Sequence, residues 1–577
     1  MQISISKVEP VRAILNQRRS QIVLAGLGAL LLGGGLASTR LIPSDRNQPP
    51  QTGQPWKSAF NHPIATDIRQ IKQINAIKAL PEQQRTAKLT ELAAQTPPNS
   101  LEQNRARYLL AINWMQQGQA SKALEQLQGL DSSYPAMAAQ VMLKQAQAME
   151  QTGDNGKAEG IYRDLLKRYP TDPATAEALL VLGRNDRKFE DQAIAQFPAH
   201  PKTIDLVQKR LKQNPNQPQL MLVLARHGIH TNGYTEVVDK LVEQAAPQLK
   251  PEDWEAIAFG YWEKQQYGKA GAAYARAPYT PRNAYRIARG LQLSDEEGVA
   301  QAYQRMVQTF PNDPETAQAL IRLSRITEAG TAIGYLDQVI SRFPAKADAA
   351  LLAKAKLLEA QNNPQAATQA RRTLLDRYPN SSAAAELRWT IAQQYATAKD
   401  IETAWRWAEP ILRQNPDSEF APKAGFWVGK WAQQLNKQTE ARSAYEWVLK
   451  HYPNSYYAWR SASFLGWKVG DFDSTRQLNP SVTRPASRPE LPAGSATLKE
   501  LHQLGQDQAA WTLWQTEFQN PRQPTVAEQF TDGVLRLGVG DYLDGIFMVS
   551  YLKERERPEE QSQSKMLQQQ AAYWRSL

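Results

Sequence analysis

An all-α fold, a superhelical solenoid of antiparallel helix hairpins followed by a small helical linker domain, is predicted by three observations. The first is a punctuation mark. An aromatic residue or asparagine stands directly before proline at Tyr134-Pro135, Tyr169-Pro170, Phe310-Pro311, Phe343-Pro344, Tyr378-Pro379, Asn415-Pro416 and Tyr452-Pro453. The second is its spacing. Between adjacent marks (135 to 170, 311 to 344, 344 to 379, 379 to 416, 416 to 453) the steps are 35, 33, 35, 37 and 37 residues, close to the period of about 34 at which helical hairpins stack. The third is composition: 42% hydrophobic residues and a mean hydropathy of −0.57, with abundant Ala, Leu, Gln, Arg and Lys, fit a helical body with a continuous core. No run alternates with period two over consecutive segments, which argues against a sheet.

The unit from Ala345 to Pro379 shows why each repeat is a hairpin. Ala350, Leu351, Ala353, Leu357 and Leu358 form an apolar stripe, Asn362-Asn363-Pro364 breaks it, and Ala367, Ala370, Leu374 and Tyr378 resume it on a second helix. Proline has no N–H and drives the preceding residue out of helical geometry, so the second helix stops at the aromatic. That aromatic is left to pack on the next hairpin, where small residues such as Ala383, Ala384 and Ala385 allow close approach. Between Pro170 and Pro311 the signal weakens, and Pro198, Pro215, Pro247 and Pro281 mark degenerate repeats. Hairpins of this period are similar to tetratricopeptide repeats.

The amino terminus reads differently. Lys7, Arg12, Arg18 and Arg19 precede an uncharged stretch from Ile22 to Ala37, short for a membrane span, with small residues at Gly35-Leu36-Ala37. Residues 1–37 are therefore expected to be a signal peptide, with an uncleaved signal anchor in the inner membrane as the alternative. The domain reading is 38–58 a flexible tether, 59–476 the α-superhelical repeat domain, 477–496 a Pro-rich linker and 497–577 the helical linker domain. Export places the chain in the periplasm or cell envelope. The absence of cysteine excludes lipid modification of the amino terminus, disulfides and thiolate metal sites.

The formal charge of +11 comes from 68 basic and 57 acidic residues, with six basic and two acidic in residues 1–46. A mildly basic exported chain is drawn to an anionic polymer such as the cell wall, or to a membrane surface. The plainer reading is that these charges solvate outer helix faces. No basic run interleaved with aromatics marks a nucleic-acid site, so nucleic acid is not an expected partner.

No catalytic, cofactor-binding or metal-ligating residue can be assigned. Of His62, His200, His227, His230, His451 and His502, only His227 and His230 can share a helical face, and two histidines do not make a metal site. No phosphate loop, nucleophile elbow or metalloprotease helix occurs. Eight of the 15 tryptophans fall between Trp389 and Trp467. Flat indole faces suit sugar rings, but Trp427 and Trp431, one turn apart, suit core packing better.

The carboxyl-terminal third resembles a family. Ser455-Tyr456-Tyr457-Ala458-Trp459-Arg460-Ser461-Ala462-Ser463-Phe464-Leu465-Gly466 is similar to the signature near the end of the superhelix in soluble lytic transglycosylases. After a break containing Pro480, Pro485, Pro489 and Pro492, Leu498-Lys499-Glu500-Leu501-His502-Gln503-Leu504-Gly505 and Ala509-Ala510 resemble that family's linker domain. Tyr573-Trp574-Arg575-Ser576-Leu577 is similar to the run before its catalytic domain. The Glu-Ser step and Gly-Leu-Met-Gln run of the goose-lysozyme-like catalytic domain are not in this sequence. The resemblance thus implies a non-catalytic scaffold that binds or positions peptidoglycan glycan strands. The rival expectation is an exported tetratricopeptide-like adaptor for a protein partner.

Overall fold

The computed structural model describes residues 73–77, 80–453, 455–467, 488–555 and 558–568. The expected signal peptide 1–37 and tether 38–58, Pro480 and Pro485, the 476/477 boundary and Tyr573–Leu577 lie outside the described residues. Every regular element among the described residues is helical. The fold class is the solenoid of hairpins expected above.

The chain forms two compact units, residues 279–483 and, around them in sequence, 1–278 together with 484–577. Helices of eight residues or more are numbered here in chain order. The first unit begins with α1 (Glu82–Gln95), α2 (Leu101–Gln116), α3 (Ala120–Leu127), α4 (Ala138–Gln151), α5 (Asn155–Arg168), α6 (Ala174–Leu182) and α7 (Arg187–Gln196). It continues through α8 (Pro201–Gln213), α9 (Pro218–His227), α10 (Tyr234–Ala245), α11 (Pro251–Glu263) and α12 (Tyr267–Tyr274). The second unit holds α13 (Pro281–Leu293), α14 (Val299–Thr309), α15 (Pro314–Leu323), α16 (Ala329–Arg342), α17 (Ala347–Ala360) and α18 (Pro364–Arg377). It ends with α19 (Ser382–Thr397), α20 (Ile401–Gln414), α21 (Ala421–Gln434), α22 (Gln438–His451) and α23 (Tyr456–Phe464). The carboxyl-terminal part of the first unit is α24 (Ala496–Gln503), α25 (Asp507–Glu517), α26 (Val526–Gly538), α27 (Tyr542–Ser550) and α28 (Pro558–Gln568).

The aromatic-proline step ends helices as its chemistry requires. Tyr169, Phe310, Phe343, Tyr378, Asn415 and Tyr452 all leave the helical region, with φ between −123° and −134° and ψ between 46° and 77°. Each still donates its N–H to the carbonyl four residues back, so the helix closes cleanly. The Tyr378 ring then packs on the cluster that joins Leu351 and Leu374 of its own hairpin to Ala383, Ala384 and Leu387 of the next.

The turn inside each hairpin is equally regular. Gly153, Asn362, Lys399 and Asn436 take φ of 86°, 57°, 66° and 60°, the left-handed conformation that stops a helix. The residue after the first three is Asp154, Asn363 or Asp400, whose side chain accepts from a backbone N–H of the second helix, replacing a bond lost at the helix start.

The weak stretch from 170 to 311 is also helical, with shorter helices. Its prolines have different roles. Phe197-Pro198 ends α7 in the same way as the marks above, with Phe197 at φ −128°; Pro281 instead opens α13 at its first turn, where the missing N–H costs nothing.

In the second unit first helices touch in alternate pairs, α13 with α15, α17 with α19 and α21 with α23, and α19 reaches α21 through the Trp389–Trp431 stack, whereas no pair of second helices makes a comparable contact. First helices that meet while second helices spread apart form an inner layer and an outer layer. Ala384, Ala385, Ala424 and Gly425 are buried in that inner layer, where small side chains permit the approach.

Candidate functional site

Two surfaces carry the chemistry that the fold gathers, one in each unit. In the first unit the carboxyl-terminal helices dock on hairpins hundreds of residues earlier. Leu498 and Leu501 on α24 and Leu504 just after it are buried in a single cluster with Leu127, Leu130 and Tyr134, each burial contributing roughly 1.5–3 kcal/mol. At its edge Arg105 grips Glu500 with two bonds, Nε to Oε1 at 2.6 Å and Nη2 to Oε2 at 2.8 Å. The Tyr134 hydroxyl donates to the same carboxylate, and burial, followed by the charge of Glu500, pushes the phenol pKa well up. A second ion pair joins the same parts of the unit, Arg522 to Glu255 at 2.8 Å.

The same unit holds a cleft of about 730 Å³. The Tyr169-Pro170 and Phe197-Pro198 steps line one side, and Thr497, Thr516 and Glu517 the other. Its carboxylates are occupied at helix starts: Asp172 accepts from the Ala174 N–H at 2.8 Å, and Glu517 accepts from Ser495 N–H at 2.9 Å and Oγ at 2.5 Å. Burial raises the Asp172 pKa. His227 lines the cleft and His230 follows it, both accessible. Among the described residues no group of three or more His, Asp or Glu side chains is placed to hold a metal ion. His200, by contrast, is buried at the start of α8, where burial pushes it down to about 4.

The second surface is the inner layer at the end of the second unit. Trp389 and Trp431 are buried, 3% and 4% exposed, and stack across α19 and α21 with centroids 6.1 Å apart at 21°. Trp427 tilts against Trp431 at 5.7 Å. Trp389 and Trp431 are thus core, and Trp405, Trp407, Trp427 and Trp447 pack partly buried against the same cluster, the packing that Trp427 and Trp431 suggest in sequence. Trp467 departs from the run, 58% exposed, and nearby in sequence Tyr456 is 62% exposed.

Cations sit on these rings. Lys423 Nζ lies 4.9 Å from the Trp389 centroid, and Lys430 Nζ lies 4.7 Å from Trp427 and 5.8 Å from Phe464. The Arg460 guanidinium lies 5.6 Å from Phe426 and from Phe464. The Ser455–Gly466 segment thus forms α23, its start capped by Ser455 Oγ accepting from Ala458 N–H at 3.0 Å. Sequence periodicity could have found α23, but the pairing of Lys430 with Phe464 across two helices leaves no local signal. No helix among the described residues is long and apolar enough to cross a membrane.

The comparisons with known proteins agree with the hairpins. The tetratricopeptide-repeat family matches residues 140–172 and 423–455, which are α4 with α5 and α21 with α22. No curated protein matches the chain. A solved complex described as Naa15/Naa10 bound to HypK-THB is similar over 82% of this chain and 82% of its own, at 14% identity and a TM-score of 0.21; an overlap that loose carries no argument. The chain contains tetratricopeptide repeats within a helical solenoid.

Proposed function

We propose that this chain is a helical scaffold that holds a partner protein on the inner layer of its hairpins. The observation that carries the reading is the layer itself: first helices in mutual contact, ending in an inner face of cations and aromatic rings on α19, α21 and α23. Repeats of this kind present one continuous surface, so an extended partner gains contact with each added hairpin. No catalytic role is assigned to the cleft, whose carboxylates are used by helix starts. Peptide display on the full chain, with hydrogen exchange of the selected complexes, tests the reading. Protection of first helices is the expected result; no enrichment, or protection confined to second helices, sinks it.

A second reading is favoured by a specific observation. The segment that resembles the linker domain of soluble lytic transglycosylases, Leu498 to Ala510, folds as a helix pair clasped to the first hairpins by Arg105 and Glu500. In this reading the chain is an exported scaffold in the periplasm or envelope, delivered or anchored through residues 22–37, that positions peptidoglycan glycan strands. Retention on purified sacculi at low salt is expected, and retention no greater than that of an unrelated basic protein rejects it.

A further inference from the structure

The end of the inner layer carries an unusual charge pattern. The helices α21 and α23 hold Lys423, Lys430 and Arg460 and no acidic residue. None of the three makes an ion pair among the described residues. Each instead lies over aromatic rings, which satisfy a cation electrostatically on one side while leaving N–H donors on the other. Elsewhere in the unit some cations are matched, as where Lys356 meets Glu386 at 2.6 Å and Arg406 meets Glu402 at 2.5 Å, and others lie singly on a ring, as Arg377 on Tyr378 and Lys437 on Trp405; α21 and α23 bring three ring-bound cations onto two touching helices. Phe464 adds exposed ring surface beside Lys430 and Arg460, and exposed Tyr456 lies against Trp459, over which Arg460 also sits.

We propose that this face, formed by Lys423, Trp427, Lys430, Arg460, Tyr456 and Phe464, docks an extended acidic segment of a partner protein that also carries an apolar or aromatic side chain. The proposal rests on the protein-scaffold reading above and names the chemistry of the partner. Charge complementarity selects the occupant: three cations without carboxylates fit a chain that brings its own, and the rings fit an apolar side chain between them. Lys423 and Lys430 are seven positions apart on one helix, about 10 Å along its axis, a distance that about three extended residues span. A sugar strand fits less well, because its hydroxyls need acceptors as well as donors, and α21 and α23 offer cations and ring faces with no carboxylate.

The test uses the full chain and two short fluorescein-labelled peptides, one alternating Glu and Asp with Trp, the other its Gln and Asn counterpart. Fluorescence anisotropy at low salt should show the acidic peptide binding at least about tenfold more tightly, a difference of about 1.4 kcal/mol. The variant K423E/K430E/R460E should lose at least that factor, whereas R305E/R372E/K450E, the same charge change on outer helices, should lose less than about threefold once salt screens long-range attraction. Unchanged circular dichroism and melting temperature establish that both variants fold. If the two variants weaken the acidic peptide equally, or neither does, the face is not the site although the scaffold reading survives. If the wild type binds neither peptide and display selects none, both fail together. Displacement of the peptide by purified glycan strands whose own binding is lost in K423E/K430E/R460E assigns the face to glycan and overturns the proposal.

Discussion

Arg105 and Glu500, 395 positions apart in the chain, meet in a two-bond ion pair with side chains only 4% and 12% exposed. Such a pair fixes how one segment sits on another more than it adds stability, because both charges have been taken out of water. Removing one partner is the severe change. Arg105→Ala should cost about 3–5 kcal/mol by leaving Glu500 buried without its cation, and residues 488–568 should lose hydrogen-exchange protection before the second unit does. The double variant R105L/E500L should recover most of the loss. Equal protection in wild type and R105A would show that the apolar cluster of Leu498 and Leu501 docks the segment unaided.

Helix glycines in the second unit make opposite predictions by position. A Cβ added at Gly429 would lie 2.5 Å from the Tyr445 ring, whereas one at Gly334 would meet nothing within 4 Å. Gly429→Ala should therefore push α21 and α22 apart and destabilise by about 1–3 kcal/mol. Gly334→Ala, on the exposed side of α16, should stabilise by about 0.8–1 kcal/mol through helix propensity alone. Thermal melts of the two variants should move in opposite directions; a rise for G429A would contradict the close contact.

Much of this organisation is written locally. The proline that halts α18 after Tyr378, the Asn362-Asn363 break and the stripe of Ala367, Ala370 and Leu374 lie within a few turns of one another, so periodicity and turn chemistry expose them. Phe197-Pro198 has the same form as the other marks, yet the short helices around it hide the spacing that would reveal it. Glu500 is a different case. Nothing near it in sequence distinguishes it from a solvated helix carboxylate, because its partners Arg105 and Tyr134 arrive only through folding. The cation-aromatic face is half legible for the same reason: Trp427 and Trp431 share a turn, while Lys430 reaches Phe464 from another helix.

Lys399 pays for a turn that glycine would make freely. Its φ of 66° is the left-handed conformation, which costs an ordinary residue roughly 1–2 kcal/mol, and Gly153 occupies the same place between α4 and α5. Lys399 is exposed, so replacing it removes no buried contact. Lys399→Gly should stabilise by about 0.5–1 kcal/mol, the relief being partly offset by the greater freedom of glycine in the unfolded chain. A lowered melting temperature would mean that the side chain does something the turn geometry does not reveal.

His200 gives the first unit a defined dependence on pH. It is 1% exposed, its Nδ1 has no hydrogen-bond partner, and burial holds its pKa at about 4, with Lys202 adding to the depression and Glu177 opposing it. The unfolded ring titrates near 6.5. Above that pH the ring is neutral in both states, and its contribution is constant. Between 6.5 and 4 the unfolded chain takes up a proton that the folded chain refuses, so stability falls as pH falls. Below 4 both states are protonated and the loss levels off. The total is on the order of 3 kcal/mol. His200→Met keeps an apolar filling of similar reach and removes the titration. The difference in urea stability between wild type and H200M should thus be flat above pH 7 and slope between 6.5 and 4. Parallel curves across that window would show that the ring stays reachable by protons in the folded chain.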